Sequence, residues 1–556
     1  MYLSFIYFLV FLNIFNVDGE DTTKANCGSD NSVTGVVQYV CPPSPYSTKT
    51  SIRVYPELLT IDCNNTAVLD DTVLPRVNHK NIIELVLEKC PLPAKGFQDL
   101  INIFNITSSI KLEKLTIRNS KIHTLKSGVL DDFKNLKDLD LSFNEIERIE
   151  EDAFKNLTNL VNLANIERIN LDNNPNVILH DAVFSQFENL KEINLSNNSL
   201  KNISENLFNG STNLLIIYLS NNSLATLEKN VFKSLENLVE LHLNGNEIKS
   251  LHSGVFASLK KLKKLHLQYN QIEVLDGELF KNMDNLVEVN LSHNQINFAS
   301  RSEMSAFQDH VEQLKIVDLS HNKILLYPHV LSDKRHMEKL DLSNNYIEKL
   351  KLMSMLARKY PNSRNLVTDL DSNKITSIEI DITDLNLKRH SKTIITITNN
   401  PILCDCSALN LAIFLQGNHN LNSYVRFEPK DVQCSGKLAG KILNEIELID
   451  LTCHLQRNCS SNRDCDCLRR SFDDSLIVNC SSRGLTEIPD LIPDELSEFD
   501  NIIVHLDGNR LKKSPGEHNG FGNVTELYLE KNEISNITWI PASLKILNLS
   551  EMLCLL

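Results

Sequence analysis

The 556-residue sequence is most informative at first in what it lacks. Beyond its N-terminal stretch, no segment approaches the roughly 18 to 20 consecutive apolar residues that a membrane-spanning helix needs. It has no basic excess: 56 Lys and Arg stand against 71 Asp and Glu, a formal charge of −15. The balance argues against nucleic acid as a partner, because neutralising phosphates requires a basic footprint. That charge suits a basic protein partner, and it equally suits plain solubility. No nucleophile elbow, phosphate-binding loop, metal motif or paired-carboxylate signature is present, so the sequence predicts neither an enzyme nor a cofactor.

What the sequence does contain begins with an apolar run from Tyr2 to Phe15, interrupted only by Ser4 and Asn13 and turning polar at Asp18. Met1 to about Gly19 reads as a secretory signal peptide, although without a basic start. Thirteen cysteines in an exported chain favour disulfides. Twelve fall into groups of four: Cys27, Cys41, Cys63 and Cys90; Cys404, Cys406, Cys434 and Cys453; Cys459, Cys465, Cys467 and Cys480. The pairing of the first group is left open. Cys554 is left over, and together with a repeat that breaks off at Met552 it predicts a chain cut short.

The dominant pattern is L-x-x-L-x-L-x-x-N-x-L. It appears at Leu136, Leu139, Leu141, Asn144 and Ile146, and again at Leu190, Ile193, Leu195, Asn198 and Leu200. From Asn198 through Asn222, Asn246 and Asn270 to Asn294 the spacing is a constant 24. This is a leucine-rich repeat, a coil whose copies touch only their neighbours. The alternating leucines predict a short strand with its apolar residues turned inward, stacked in a parallel sheet. The asparagine amide is suited to bond the backbone of the tight turn that follows, groups that would otherwise be orphaned at about 1–3 kcal/mol each. Phe184, Phe208, Phe232, Phe256 and Phe280 keep the same period and are predicted core on the other side of each coil. The predicted fold class is an α/β solenoid, a leucine-rich-repeat horseshoe with a parallel sheet on its concave face and disulfide-bonded caps. Longer spacings of 30 (Asn144 to Asn174) and 28 (Asn294 to Asn322, Asn345 to Asn373) mark insertions, the first around 162–168. They are either binding loops or neutral extensions.

A solenoid needs caps at its open ends. Asn400-Pro401-Ile402-Leu403-Cys404-Asp405-Cys406, with Cys434 and Cys453, continues from the last strand of the long block and looks like a leucine-rich-repeat C-terminal cap. Six residues later Cys459, Cys465, Cys467 and Cys480, followed by Gly484-Leu485-Thr486-Glu487-Ile488-Pro489, resemble an N-terminal cap opening a second block. Repeats resume at Leu506 and Asn509 and at Leu529 and Asn532. A zinc reading of the two Cys-Asp-Cys motifs has no Cys-x-x-Cys or His-x-x-x-His spacing behind it. The predicted organisation is signal peptide 1–19, N-terminal cap region 20–80, first block 81–400, C-terminal cap 401–455, second N-terminal cap 456–490 and second block 491–556.

A long block, back-to-back caps and a short second block together resemble arthropod Toll receptors over nearly the whole mature chain. The resemblance implies disulfides Cys404–Cys434, Cys406–Cys453, Cys459–Cys467 and Cys465–Cys480. It also implies a ligand-binding ectodomain on the extracellular face of the plasma membrane, recognising a Spätzle-like dimeric cystine-knot cytokine in immunity or development. Receptor pairing on ligand binding would follow, with the membrane helix and signalling domain lying in a missing C-terminal segment. A Slit-like secreted adhesion or guidance protein and a soluble decoy are the alternatives.

Outward strand residues are the candidate ligand face: Lys114, Arg118, Asp138, Asp140, Glu240, His242, Lys264 and His266. The two histidines, one repeat apart, are either a pH switch or ordinary solvated side chains. Sequons at Asn194 and Asn290 put sugar acceptors on the same strands, where a glycan would exclude a partner. Asn64, Asn105, Asn156, Asn202, Asn209, Asn523 and Asn536 are predicted as ordinary surface glycosylation sites.

Overall fold

A computed structural model describes residues 28–30, 37–41, 50–55, 57–63, 82–91, 111–130, 133, 135–150, 153–154, 165–298, 301–308, 311–352, 365–380, 392–417, 425–428, 431–461, 465–492 and 496–550. The predicted signal peptide, Cys27, Cys554, Asn64, Asn105, Asn156 and part of the 162–168 insertion lie outside the described residues, as does the side chain of Cys41. The chain forms two compact units, Met1–Lys323 with Lys334–Lys339, and Ile324–Asp333 with Leu340–Leu556.

The first unit opens with four strands in antiparallel succession, β1 (Gly28–Asp30), β2 (Val37–Cys41), β3 (Thr50–Val54) and β4 (Leu58–Asp62). From β4 onward every step in this sheet is parallel, through β5 (Glu84–Glu88), β6 (Lys114–Arg118), β8 (Asp138–Asp140), β10 (Arg168–Asn170), β11 (Glu192–Asn194), β12 (Ile216–Tyr218), β13 (Glu240–His242), β14 (Lys264–His266), β15 (Glu288–Asn290) and β16 (Ile316–Asp318). A small second parallel pair joins β7 (Thr124–Leu125) to β9 (Arg148–Ile149). The parallel order follows from the repeat: each coil returns the chain to the same side before the next strand is laid down.

The inward residues of these strands, Leu139, Ile169, Ile193, Ile217, Leu241, Leu265 and Val289, are at most 1% exposed. On the far side of each coil Phe184, Phe208, Phe232, Phe256 and Phe280 are equally buried, and Phe232 stacks on Phe256 with ring centroids 6.1 Å apart. Turns close the coils there. Each buried phenylalanine contributes about 1.5–3 kcal/mol of transfer free energy, so these two apolar rows hold the solenoid together.

The asparagine ladder satisfies the bends. Asn222 Nδ2 donates to the Leu195 and Leu219 carbonyls at 2.9 and 3.1 Å, and its Oδ1 accepts from the Asn198 and Leu200 amides at 3.0 Å. Asn246, Asn270 and Asn294 repeat the arrangement one coil at a time. At the start of the ladder Cys90 takes the asparagine slot and is bonded to Cys63, a pairing that the sequence left open. Ser120 holds the next slot, its Oγ accepting from the Cys90 amide at 3.1 Å and donating to the Arg118 carbonyl at 2.8 Å.

In the second unit the repeats run through β17 (Lys339–Asp341), β18 (Lys349–Lys351), β19 (Leu366–Asp369), β20 (Ser377–Glu379), β21 (Thr393–Thr396) and β22 (Val425–Phe427). β18 pairs with β20, and β19, β21 and β22 follow one another, all parallel. Helix α1 (Leu409–Leu415) then buries Leu411, Ala412 and Phe414, with Phe414 edge-on to Phe427. Disulfides Cys404–Cys434 and Cys406–Cys453 tie this segment together. Antiparallel β23 (Thr452–His454), β24 (Asp466–Arg470) and β25 (Ser475–Asn479) follow, with Cys459–Cys467 and Cys465–Cys480. Parallel pairing resumes through β26 (Ile502–His505), β27 (Glu526–Tyr528) and β28 (Ile546–Asn548).

Candidate functional site

Because side chains alternate along a strand, each three-residue strand shows two outward residues, and the parallel register lines them up in rows across the sheet. The candidate face of the first unit is the set of these rows. It has two stretches of different chemistry.

The stretch over β5 to β11 is charged and internally paired. Arg118 bonds Asp140, Lys114 lies 3.8 Å from Glu84, and Arg168 lies 3.8 Å from Asp138 and 3.9 Å from Glu192. Neighbouring aspartates are driven in opposite directions. Burial works to raise the Asp140 carboxyl, but the hydrogen bonds from Arg118 and Ser142 outweigh it and hold that carboxyl below its ordinary value. At Asp138 burial prevails over the attraction of Arg168 and Lys114, and the carboxyl is pushed up. Lys114, Arg118, Asp138 and Asp140 thus lie on adjacent strands, Arg118 paired with Asp140, Lys114 with Glu84 and Asp138 with Arg168.

The stretch over β12 to β14 is aromatic. Tyr218, His242 and His266 occupy one row in register, and their rings stack with centroids 4.6 and 4.5 Å apart. This corrects the solvated reading of the histidines: the His242 side chain keeps only 20% of its exposure. Its buried Nε2 has no hydrogen bond and lies 3.6 Å from Glu240, too far to count as one. Burial and the adjacent His266 lower His242 to about 4, with Glu240 pulling the other way. His266 is lowered too, chiefly by burial. Lys264 bonds Glu240 at 2.8 Å, which holds the Glu240 carboxyl down. Ile216 and the exposed Leu215 add apolar surface beside Tyr218.

A second ring stack escaped the sequence reading. Tyr269, His293 and His321 stack with centroids 4.2 and 4.0 Å apart. They sit at the left-handed position of the turn after each strand, φ 58°, 53° and 54°, and Tyr269 is 59% exposed. Their spacing of 24 and 28 residues was the available signal, hidden because other coils carry Asn, Gly, Phe, Ser or Lys at that position.

Among the described residues one grouping could offer metal donors, Asp405 with Cys406 and Cys453, but the two sulfurs are bonded to each other. No helix among the described residues is long and apolar enough to cross a membrane.

The sequon asparagines of the strands are half-buried and already employed. Asn194 Oδ1 accepts from the Ser196 amide at 3.0 Å, and Asn290 Oδ1 accepts from the Ser292 amide and hydroxyl at 3.0 and 2.7 Å. Asn209 Nδ2 donates to Asn206 Oδ1 at 2.8 Å. Asn202, Asn523 and Asn536 are exposed.

Comparison with known proteins agrees with this architecture. The family described as BspA type leucine rich repeat region matches residues 161–287 and 249–353, and the leucine rich repeat family matches residues 110–164. The Drosophila melanogaster protein toll is 27% identical over 259 residues, covering 43% of this chain. That match spans 23% of the relative's own length. Among solved structures, the Drosophila Toll–Spatzle complex superposes with a TM-score of 0.58 at 20% identity, covering 95% of this chain and 89% of that one. Its glycosylated form gives a TM-score of 0.55 at 20% identity, with the same coverage.

Proposed function

We infer that this chain, a leucine-rich-repeat protein with the fold of a Toll-like ectodomain, is the extracellular ligand-binding part of a Toll-type transmembrane signalling receptor. Its ligand is a Spätzle-like dimeric cystine-knot cytokine, and ligand binding pairs two receptors in immune or developmental signalling. The observation that carries this reading is the likeness to Toll in its complex with Spatzle, which extends over 95% of the chain. The exposed rows of the first unit supply what protein recognition needs: charged side chains on rigid strands, Arg118 among them, held before any partner arrives.

Binding of the purified ectodomain to a panel of cystine-knot cytokine dimers, followed by light scattering of the mixture, tests this. At least one dimer should bind and drive a two-receptor assembly. Reversing the charged stretch with Arg118→Glu should then weaken binding tenfold or more. A correctly folded ectodomain that binds none of the panel sinks the reading.

A further inference from the structure

The Tyr218–His242–His266 stack ends at both sides on a sequon. In the register of the sheet Asn194 lies beside Tyr218, and Asn290 lies beside His266. The row is therefore Asn, Tyr, His, His, Asn. Two strand steps separate Tyr218 from His266, and four separate the asparagines, about 19 Å at roughly 4.8 Å per step. Rings stacked face to face use up their inner faces. The outer faces of Tyr218 and His266 stay open, each toward an asparagine.

The second unit repeats the arrangement without sharing any residue. Asn479, His505, Tyr528 and Asn548 form one row in register, and His505 stacks on Tyr528 with centroids 4.5 Å apart. Asn479-Cys480-Ser481 and Asn548-Leu549-Ser550 are both sequons, and the sequence reading passed over both.

The turn alone does not demand asparagine at these places. Asp140, Asp318, Asp341 and Asp369 sit at the same position and accept from the amide two residues on, as Asn194, Asn290 and Asn479 do. Asparagine of an Asn-x-Ser triplet appears where the row abuts a ring stack. The turn bond uses Oδ1, while Nδ2 of Asn194, Asn290 and Asn479 makes no hydrogen bond among the described residues.

We propose that Asn194, Asn290 and Asn479 carry N-linked glycans and that the first N-acetylglucosamine of each packs on the adjoining open ring face, of Tyr218, His266 and His505. In the modification Nδ2 forms a bond to C1 of a lipid-linked oligosaccharyl pyrophosphate, the C1–O bond breaks, the lipid pyrophosphate leaves, and one Nδ2 proton passes to the transferase base. Oδ1 keeps its turn bond throughout. The apolar face of the sugar then covers a ring face that would otherwise meet water, and the strip from β12 to β14 becomes sugar-lined. This inference stands apart from the identity of any ligand.

Glycopeptide mass spectrometry of the ectodomain secreted from insect cells tests occupancy. Peptide N-glycanase in heavy-oxygen water should mark Asn194, Asn290 and Asn479 as modified in most molecules. Folded, secreted protein with unmodified asparagine at these positions overturns the proposal, and the amide is then only a neutral neighbour for the ring. For the packing, ring-proton NMR of glycans labelled at N-acetylglucosamine should show upfield shifts that Tyr218→Ala abolishes at the Asn194 sugar alone. Shifts indifferent to that change overturn it. The N194D/N290D pair keeps the turn acceptor and removes both sugars, so it reports folding independently.

Discussion

The middle coils of the first unit and the 401–490 segment of the second seal apolar interiors by different means. Between Asn198 and Asn294 there are no cysteines at all, and every coil is closed by its neighbours through inward leucines, a phenylalanine row and asparagine bonds to three or four backbone groups. Between Cys404 and Cys480 regular stacking stops, and four disulfides hold short strands and helical turns in its place. The difference is one of available neighbours. A coil with a copy on each side buries its core by repetition, whereas a segment whose repeats end on one side must be cross-linked, because its small core cannot offset the entropy of ordering it.

The sharpest break in that comparison comes from the ladder. Asn246→Leu leaves the Leu224 amide without the partner it has at 3.0 Å and takes one of two donors from the Leu219 and Leu243 carbonyls, which keep Asn222 at 3.1 Å and Asn270 at 3.0 Å. One orphaned amide at about 1–3 kcal/mol and two lost hydrogen bonds at about 0.5–1.5 kcal/mol each should together cost about 4 kcal/mol, read as a lower midpoint in chemical denaturation. Reductant should leave this variant's deficit unchanged.

Replacing Cys404 and Cys434 together by serine should cost about 3 kcal/mol and do so in the second unit alone. Limited proteolysis read by mass spectrometry should show new cuts near 401–455, with the 190–294 coils still protected. Equal loss of protection in both places would erase the distinction between repetition and cross-linking.

The smallest effect belongs to the aromatic strip, where His242 faces Tyr218, His266, Glu240 and Lys264. Its folded value of about 4 lies below the ordinary 6.5, so the folded state resists protonation and the unfolded chain does not. The contribution is fully present above pH 6.5 and is lost as pH falls from 6.5 to about 4, to the extent of about 1–3 kcal/mol. His242→Gln should flatten the fall in stability across that window. An unchanged slope would show that the ring stack tolerates a charge.

Much of this was legible beforehand because the repeat is its own internal evidence of contact. A period of 24 from Asn198 to Asn294 says that equivalent residues stack, and so the leucine, phenylalanine and asparagine rows could be read without coordinates. The bond between Cys63 and Cys90 could not, since four cysteines allow three connectivities and no spacing separates them. Nor could the Ser120 bridge between cysteine and asparagine ladders, where a single hydroxyl does the work of an amide. The burial of the histidines could not be read either, for the same reason: it comes from the rings of adjacent coils, not from residues near them in sequence.

The amino-acid sequence by itself determined the coil, its inward face and its closure, because these depend on periodic apolar burial and on turn chemistry confined within one repeat and its copies. Only the tertiary structure decided which outward residues meet across coils: that Arg118 answers Asp140, that Tyr218, His242 and His266 share one stack, and that Asn194 and Asn290 end it. Outward positions are free of the repeat's packing demand, so their neighbours are set by strand register and side-chain orientation, which no single coil contains.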